Sequence, residues 1–146
     1  MEIKILSFSE LTNTQLYAVL RLRAEVFVVE QDCVYLDMDN LDQDAIHLLG
    51  YTGDELAGYA RIIKPGNYYD DVSIGRVVSD PDRRGEGLGK LIFDAAIQTC
   101  RRAYPGEPIR IMAQCYLTRF YEEFRFEIAG EEFLEDGIPH VEMVLR

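Results

Sequence analysis

The sequence predicts a mixed α/β fold: a mostly antiparallel sheet that contains one parallel pair of strands and carries helices on its faces. Three observations carry that expectation. A strand from Val72 to Val78, an amphipathic helix opening at Leu88 and a strand from Ile109 to Cys115 follow one another, and a crossover of this kind joins parallel neighbours. Two earlier apolar runs, His47 to Tyr51 and Leu56 to Ile63, are separated only by Thr52-Gly53-Asp54-Glu55, a connection that suits antiparallel strands. The 146 residues are 48% hydrophobic, with no repeat and no Pro-, Gly- or Ser-rich linker, so one core and a single domain over residues 1–146 are expected.

The elements follow in order. Met1 to Phe8 alternates apolar and polar residues and reads as a strand with Ile3 and Ile5 on one face. Ser9 is placed to cap a helix on which Leu16, Val19, Leu20, the stem of Arg23, Val26 and Phe27 recur at helical spacing. Gln31 to Ala45 is an acid-rich loop, and Lys64-Pro65-Gly66-Asn67 turns the chain into the Val72 strand. Asp80 to Glu86 is a polar turn. Leu88, Leu91, Ile92, Ala95, Ala96 and Thr99 form the apolar stripe of the next helix, with Arg101 and Arg102 at its negative carboxyl end. Leu117 to Phe124 reads as a short helix and Val141 to Leu145 as a closing strand.

Charge narrows the function classes. Twenty-six acids against 15 lysines and arginines leave a formal net charge of -11. Nucleic acids and anionic membranes both demand a basic face, so neither is expected as a partner; a cationic partner such as an amine is favoured. Cys33, Cys100 and Cys115 cannot all pair within the chain and none has C-x-x-C spacing. They read as reduced cysteines of a cytoplasmic protein. The amino end lacks the apolar stretch of a signal peptide, and no apolar run approaches the ~20 residues of a membrane span.

The turn Asp80-Pro81-Asp82-Arg83-Arg84-Gly85-Glu86-Gly87-Leu88-Gly89-Lys90 stands between a strand and a helix. Glycines there let the backbone approach an anion and aim several N–H groups at it, and a helix amino end adds partial positive charge. Arg83, Arg84 and Lys90 cluster at this turn in an otherwise acidic chain. A pyrophosphate is the ligand this suggests; a tight turn without ligand is the plainer alternative. The P-loop and Rossmann glycine patterns are both absent.

Arg84-x-x-Gly87-x-Gly89, placed after Gly75-Arg76-Val77-Val78, resembles the acyl-CoA-binding motif of the GNAT N-acetyltransferase superfamily. Four further segments are similar to its ElaA-like branch. They are Arg23-Ala24-Glu25-Val26-Phe27-Val28-Val29-Glu30-Gln31, Ile111-Met112-Ala113-Gln114, Phe120-Tyr121-Glu122-Glu123-Phe124-Arg125-Phe126 and Glu135-Asp136-Gly137-Ile138-Pro139-His140. The resemblance implies the acyl-CoA N-acyltransferase fold, in which the fourth and fifth strands splay and the pantetheine arm enters the gap like an added strand. Val77 and Val78 main-chain groups would then meet that arm and the thioester carbonyl. Backbone N–H groups of Arg84, Gly85, Glu86, Gly87, Leu88, Gly89 and Lys90 would hold the pyrophosphate, with Arg83 adding charge.

The implied reaction is transfer of an acetyl group from acetyl-CoA, with no metal, directly to a primary amine of a small molecule or peptide. It needs a neutral amine, a donor for the developing oxyanion and a proton for the departing thiolate. Tyr121 matches the family tyrosine near the thiol and is the expected general acid. Arg125 occupies a position where the family commonly has a glycine serving a turn of positive φ. The fourth strand offers Arg76 and no glutamate, so the base is unassigned and a water relay is open. A non-catalytic acyl-CoA-binding sensor or interaction protein is the alternative, and an acidic interaction domain without cofactor a third. A homodimer is one state considered for the chain.

The acidic run from Asp37 to Asp44 is not a calcium loop, because Leu41, Asp42 and Leu48 stand where an EF-hand needs oxygen, glycine and glutamate. It reads either as a solvated loop or as a rim in which Glu30, Asp39 or Asp42 attracts an amine substrate. His47 and His140 lack companions for a metal site; of the two, His140 is expected to face the acceptor, without being assigned as base. The tyrosines 51, 59, 68, 69 and 116 are too dispersed for a nucleic-acid platform. Cys115 has no histidine beside it in sequence and reads as packing.

Overall fold

Alternating side chains build eight strands into one sheet in the computed structural model, which describes residues 1–146. The strands are β1 (Glu2–Ser7), β2 (Ile46–Thr52), β3 (Glu55–Ile63), β4 (Val72–Ser79), β5 (Ile109–Gln114), β6 (Glu127–Ile128), β7 (Phe133–Glu135) and β8 (Ile138–Leu145). Helix α1 (Asn13–Arg23) follows β1, α2 (Leu88–Ala103) crosses from β4 to β5, and α3 (Thr118–Glu122) follows β5. The spatial order is β1-β2-β3-β4-β5-β8, with β6 and β7 lining the outer edge of β8. Every pairing is antiparallel except β4 with β5. The predicted class and the parallel pair are both present. No helix is long and apolar enough to cross a membrane.

The parallel pair is brief. Only Val72 with Ile109 and Ser73 with Arg110 are in register, after which β4 and β5 run apart. The cause lies on β4, where Tyr59 pairs Val78 and Arg61 pairs Gly75, so two residues of β4 oppose Ala60 alone. Arg76 sits in this bulge at φ 52. A bulge bends its strand and adds twist, which turns β4 away from β5 and opens a gap between them.

Each face of the sheet has its own helix. Ile92, Phe93, Ala96, Ile97 and Cys100 of α2 pack on Leu48, Ala60, Ile62, Ile74, Ile111, Ala113 and Met143. Two glycines admit this helix closely: a Cβ at Gly50 would stand 2.8 Å from Ile92 Cδ1, and one at Gly58 would stand 3.0 Å from Ile92 Cγ1. The stripe is rotated from the predicted one, since Leu91 is 52% exposed while Phe93, Ile97 and Cys100 are buried. On the opposite face Val19, Leu22 and Val26 pack on Leu49, Tyr59 and Val78. This helix therefore covers the β2–β4 half of its face only.

Several local expectations change. The cap of α1 is Thr12 rather than Ser9: Gln15 N–H donates to Thr12 Oγ1 at 3.1 Å and Thr12 N–H to Gln15 Oε1 at 2.9 Å, a reciprocal box that Ser9 cannot form. Ser9 lies instead in a 3₁₀ turn over Phe8–Glu10. Beyond Arg23 the helix widens into a π turn over Ala24–Glu30, where Gln31 N–H reaches Val26 O and Cys33 N–H reaches Val28 O. Strand β8 starts at Ile138 instead of Val141, and β6 and β7, two and three residues long, are too short to carry a strand pattern in the sequence. The hairpin between β7 and β8 turns on Asp136 and Gly137, both at positive φ, as a two-residue turn of this twist requires.

Candidate active site

Three arginines and three aspartates lock the loop after α1 against the sheet. Arg23 donates from Nε to Asp37 Oδ2 and from Nη1 to Asp42 Oδ1, both at 2.8 Å. Arg61 reaches Asp39 Oδ1 and Oδ2 at 2.8 Å and Asp42 Oδ1 at 2.9 Å. Arg76 donates to Asp37 Oδ1 at 2.8 Å and to Asp37 O at 3.1 Å, which pins the β4 bulge to the loop. His47 sits beneath, with Tyr59 Oη at 2.6 Å from Nδ1 and Asp42 O accepting at 2.9 Å from Nε2. Arg23 is buried to its guanidinium, not by its stem alone.

This geometry revises the acidic loop. Asp37 and Asp42 are buried, so the segment is not a solvated loop. Asp42 also leaves the amine rim, because its carboxylate is held by Arg23 and Arg61. Burial opposes ionisation of Asp39, yet hydrogen bonds and charge from Arg61, the Leu41 N–H and Arg76 outweigh it and hold its pKa at about 2. Burial likewise opposes the charge on Arg23, and Asp42 and Asp37 more than compensate. The pairing was signalled by arginines at apolar positions, Arg23 on a helical stripe and Arg61 inside an apolar strand, but their partners are 14 to 22 residues away in sequence.

Past the gap, β4 runs into the glycine turn. Asp80 accepts from Asp82 N–H at 3.0 Å and starts a 3₁₀ turn over Pro81–Arg83. Gly85 and Gly87 hold φ of 91 and 77, and Gly87 caps α2. A Cβ built on Gly85, Gly87 or Gly89 would meet nothing within 4 Å. The turn thus leaves room in front of its backbone. Its three cations each hold an acid: Arg83 with Glu55 at 2.6 Å, Arg84 with Glu30 at 2.9 Å and Lys90 with Glu123 at 3.1 Å.

Tyr121 stands on α3 with its ring edge-on to Phe93 at 5.2 Å and to Phe120 at 5.2 Å. Phe124 and Phe126 complete the cluster around Phe93. Burial, with a small contribution from Tyr116, pushes the Tyr121 hydroxyl up to about 12. It stays protonated and able to donate at neutral pH. Arg125 adopts φ 71, the conformation for which a glycine was expected. Burial raises the Cys115 thiol, which disfavours a thiolate nucleophile there.

His140 lies on β8 opposite Gln114 of β5. Its Nδ1 donates to Ile138 O at 2.7 Å, and its ring stacks on Phe133 at 6.1 Å. Gln114 donates to Gln31 Oε1 at 3.3 Å, so the loop after α1 reaches across the end of β5. A cavity of about 700 Å³ lies elsewhere, between α1 and β3 beside Tyr17, Leu56 and Asp80.

Comparison with known proteins agrees with this architecture. The family model for the acetyltransferase (GNAT) domain matches residues 10–146. Protein ElaA of Escherichia coli is 44% identical over 94% of this chain and 92% of its own length. Its crystal structure superposes with a TM-score of 0.93 over the whole of both chains at 42% identity. An acyl-CoA N-acyltransferase from Pseudomonas aeruginosa superposes equally well, at TM-score 0.93 and 39% identity over 98% of this chain and 97% of that one. A glycine turn fronting empty space, a sheet that parts at a β4 bulge and these relatives converge on one assignment: the chain belongs to the GNAT superfamily of acyl-CoA-dependent acyltransferases, in its ElaA-like branch.

Proposed function

We propose that the chain transfers an acetyl group from acetyl-CoA directly to a primary amine of a small molecule or peptide. The observation that carries this reading is the gap between β4 and β5, which ends at a turn whose three glycines face open space. Beyond Ser73 the edge of β4 that faces β5 has no strand partner. Main-chain groups of Val77 and Val78 are thereby free to bond an extended arm as an added strand would. The N–H groups from Arg84 to Lys90, with the helix α2 amino end, suit a pyrophosphate. The arginines and lysine of the turn supply further charge once their acid partners yield.

Tyr121, protonated at neutral pH, would give its proton to the departing thiolate. Of the acids expected at the rim, Asp39 is held by Arg61 at both oxygens, as Asp42 is by Arg23 and Arg61, which leaves the exposed Glu30 as the carboxylate that would attract the ammonium. The three free cysteines fit a reducing compartment such as the cytoplasm.

The test has two arms. Gly87→Glu places bulk and negative charge where the phosphates would lie, at a position whose φ of 77 already disfavours a side chain. Calorimetry should find acetyl-CoA affinity lowered at least ~100-fold in a folded protein, since a like charge in contact costs several kcal/mol at a partly screened site. Unchanged affinity removes the phosphate-cradle reading. A panel of amines assayed for coenzyme A thiol release separates an enzyme from a protein that only binds the acyl donor.

A further inference from the structure

We infer that His140 is the general base of the transfer, accepting the proton of the acceptor's ammonium at Nε2. The inference rests on the N-acyltransferase reading above and supplies the group that β4 lacks. Four observations carry it.

The tautomer is fixed. Nδ1 donates to Ile138 O at 2.7 Å, so in the neutral ring the lone pair resides on Nε2. The ring is also oriented. It stacks on Phe133, its direct cross-strand partner on β7, with planes 25° apart. The two-residue turn at Asp136 and Gly137 sets that register.

Nε2 is free and reachable. It has no partner within the chain, although the residue is only 8% exposed. Arg61 Nε is the sole side-chain nitrogen or oxygen that is both fully buried and without a partner, so Nε2 retains contact with solvent. A buried imidazole that keeps one nitrogen open to solvent, with the other committed, has the form of a proton acceptor.

The position is the fourth observation. Val141 and Met143 belong to the core under α2, so His140 faces the other side of the sheet. There α1 covers only the half formed by β2 to β4. His140 pairs with Gln114 at the end of β5, and the far edge of β5 borders the gap. An arm lying beside β5 in the gap would be two strand spacings, roughly 10 Å, from β8, a distance bridged by the imidazole, one water and the acceptor amine together. The titratable groups on the elements around His140 are Glu135 on β7, Glu132 just before it and beside Cys115, Asp136 in the hairpin with Cys33 reaching its carbonyl, and Glu142 on β8. Glu142 is engaged by Arg110 Nη1 at 3.3 Å, and β5 places Gln114, which does not titrate, directly opposite.

The step balances as follows. The acceptor ammonium loses a proton to Nε2, and its nitrogen lone pair forms the C–N bond at the thioester carbon. The C–S bond breaks, the thiolate takes a proton from Tyr121, and the amide nitrogen's surplus proton restores the tyrosine. The imidazolium then releases its proton to solvent.

His140→Asn tests this, because an amide nitrogen replaces Nδ1 as the donor to Ile138 O while the base is deleted. We expect kcat to fall 10²- to 10⁴-fold, with the acidic limb of the kcat/KM profile lost. Acetyl-CoA affinity and the melting temperature should stay close to wild type, the latter within about 4 °C. A kcat for His140→Asn within threefold of wild type, with the acidic limb intact, overturns the proposal and leaves the acyltransferase reading standing. Loss of that limb in Glu142→Gln instead transfers the role to Glu142. Wild-type protein that binds acetyl-CoA and turns over no amine overturns both.

Discussion

The two sides of the β4–β5 gap are held by opposite physics. On the β1–β4 side, three arginines and three aspartates are drawn together under α1, with His47 bridging Tyr59 and the Asp42 carbonyl beneath them. On the β5–β8 side, Phe93 of α2 gathers Phe120, Tyr121, Phe124 and Phe126 around itself. The ionic side fixes a backbone irregularity, the Arg76 bulge, while the aromatic side fixes a hydroxyl. A buried ion pair gains little over a well-packed apolar core in net stability, but removing one partner strands the other. Direction is what such a network contributes. It holds β4 in the one bent path that leaves the gap open, whereas the aromatic cluster tolerates exchange of shape for shape.

The difference makes measurable claims, the largest on the ionic side. Arg23→Ala leaves Asp37 and Asp42 short of a buried partner and should cost about 3–5 kcal/mol, lowering the melting temperature by about 6–20 °C. Phe93→Leu should cost only about 0.5–3 kcal/mol. Acid separates the two sides further. Because the folded Asp39 titrates at about 2, below an unfolded aspartate near ~3.9, its contribution is complete above about pH 4 and is lost as pH falls towards 2. Wild-type unfolding free energy should fall over that window, while the penalty of Phe93→Leu stays constant across it. Equal pH dependence of that penalty would break the contrast.

Tyr121→Phe keeps the aromatic cluster and deletes the hydroxyl proposed as the general acid. It should lower kcat by about 10- to 10³-fold with acetyl-CoA affinity nearly unchanged. A full rate in this variant, with chemistry limiting, withdraws Tyr121 as the acid. The smallest effect belongs to the pair that joins the loop to the turn. Glu30→Gln frees Arg84 from an exposed ion pair, and pairs of this kind are worth roughly 0.2–1 kcal/mol. Acetyl-CoA should bind up to about fivefold tighter while the acceptor KM rises, and both changes should shrink with salt. Weaker acetyl-CoA binding would mean that Glu30 orients Arg84 rather than competing for it.

What was legible in the sequence follows the range of the forces involved. The crossover, the glycine turn and the aromatic segment around Tyr121 are local patterns, and Arg125 took the strained conformation its position implied. The ionic network joins Arg23 to Asp37 and Asp42, and Arg61 to Asp39, across folds of the chain that periodicity does not record. Read locally, the same aspartates looked like a hydrated rim. The short strands β6 and β7 escaped because two or three exposed residues carry no alternation, and the tautomer of His140 depends on a carbonyl that only the hairpin brings to it.

Helix α2 rests on two missing methyl groups. Ile92 presses towards β2 and β3 through the spaces left by Gly50 and Gly58, one turn or so, about 7 Å along the axis, from the cap at Gly87. That contact acts as a fulcrum close to the load. An alanine at Gly58 requires Ile92 to give way by a few tenths of an ångström, and a helix shift that accommodates it would reach the amino end as a displaced ring of N–H groups. The height of the glycine turn above the gap is therefore tied to a residue about thirty positions upstream, by a packing contact with no chemistry of its own.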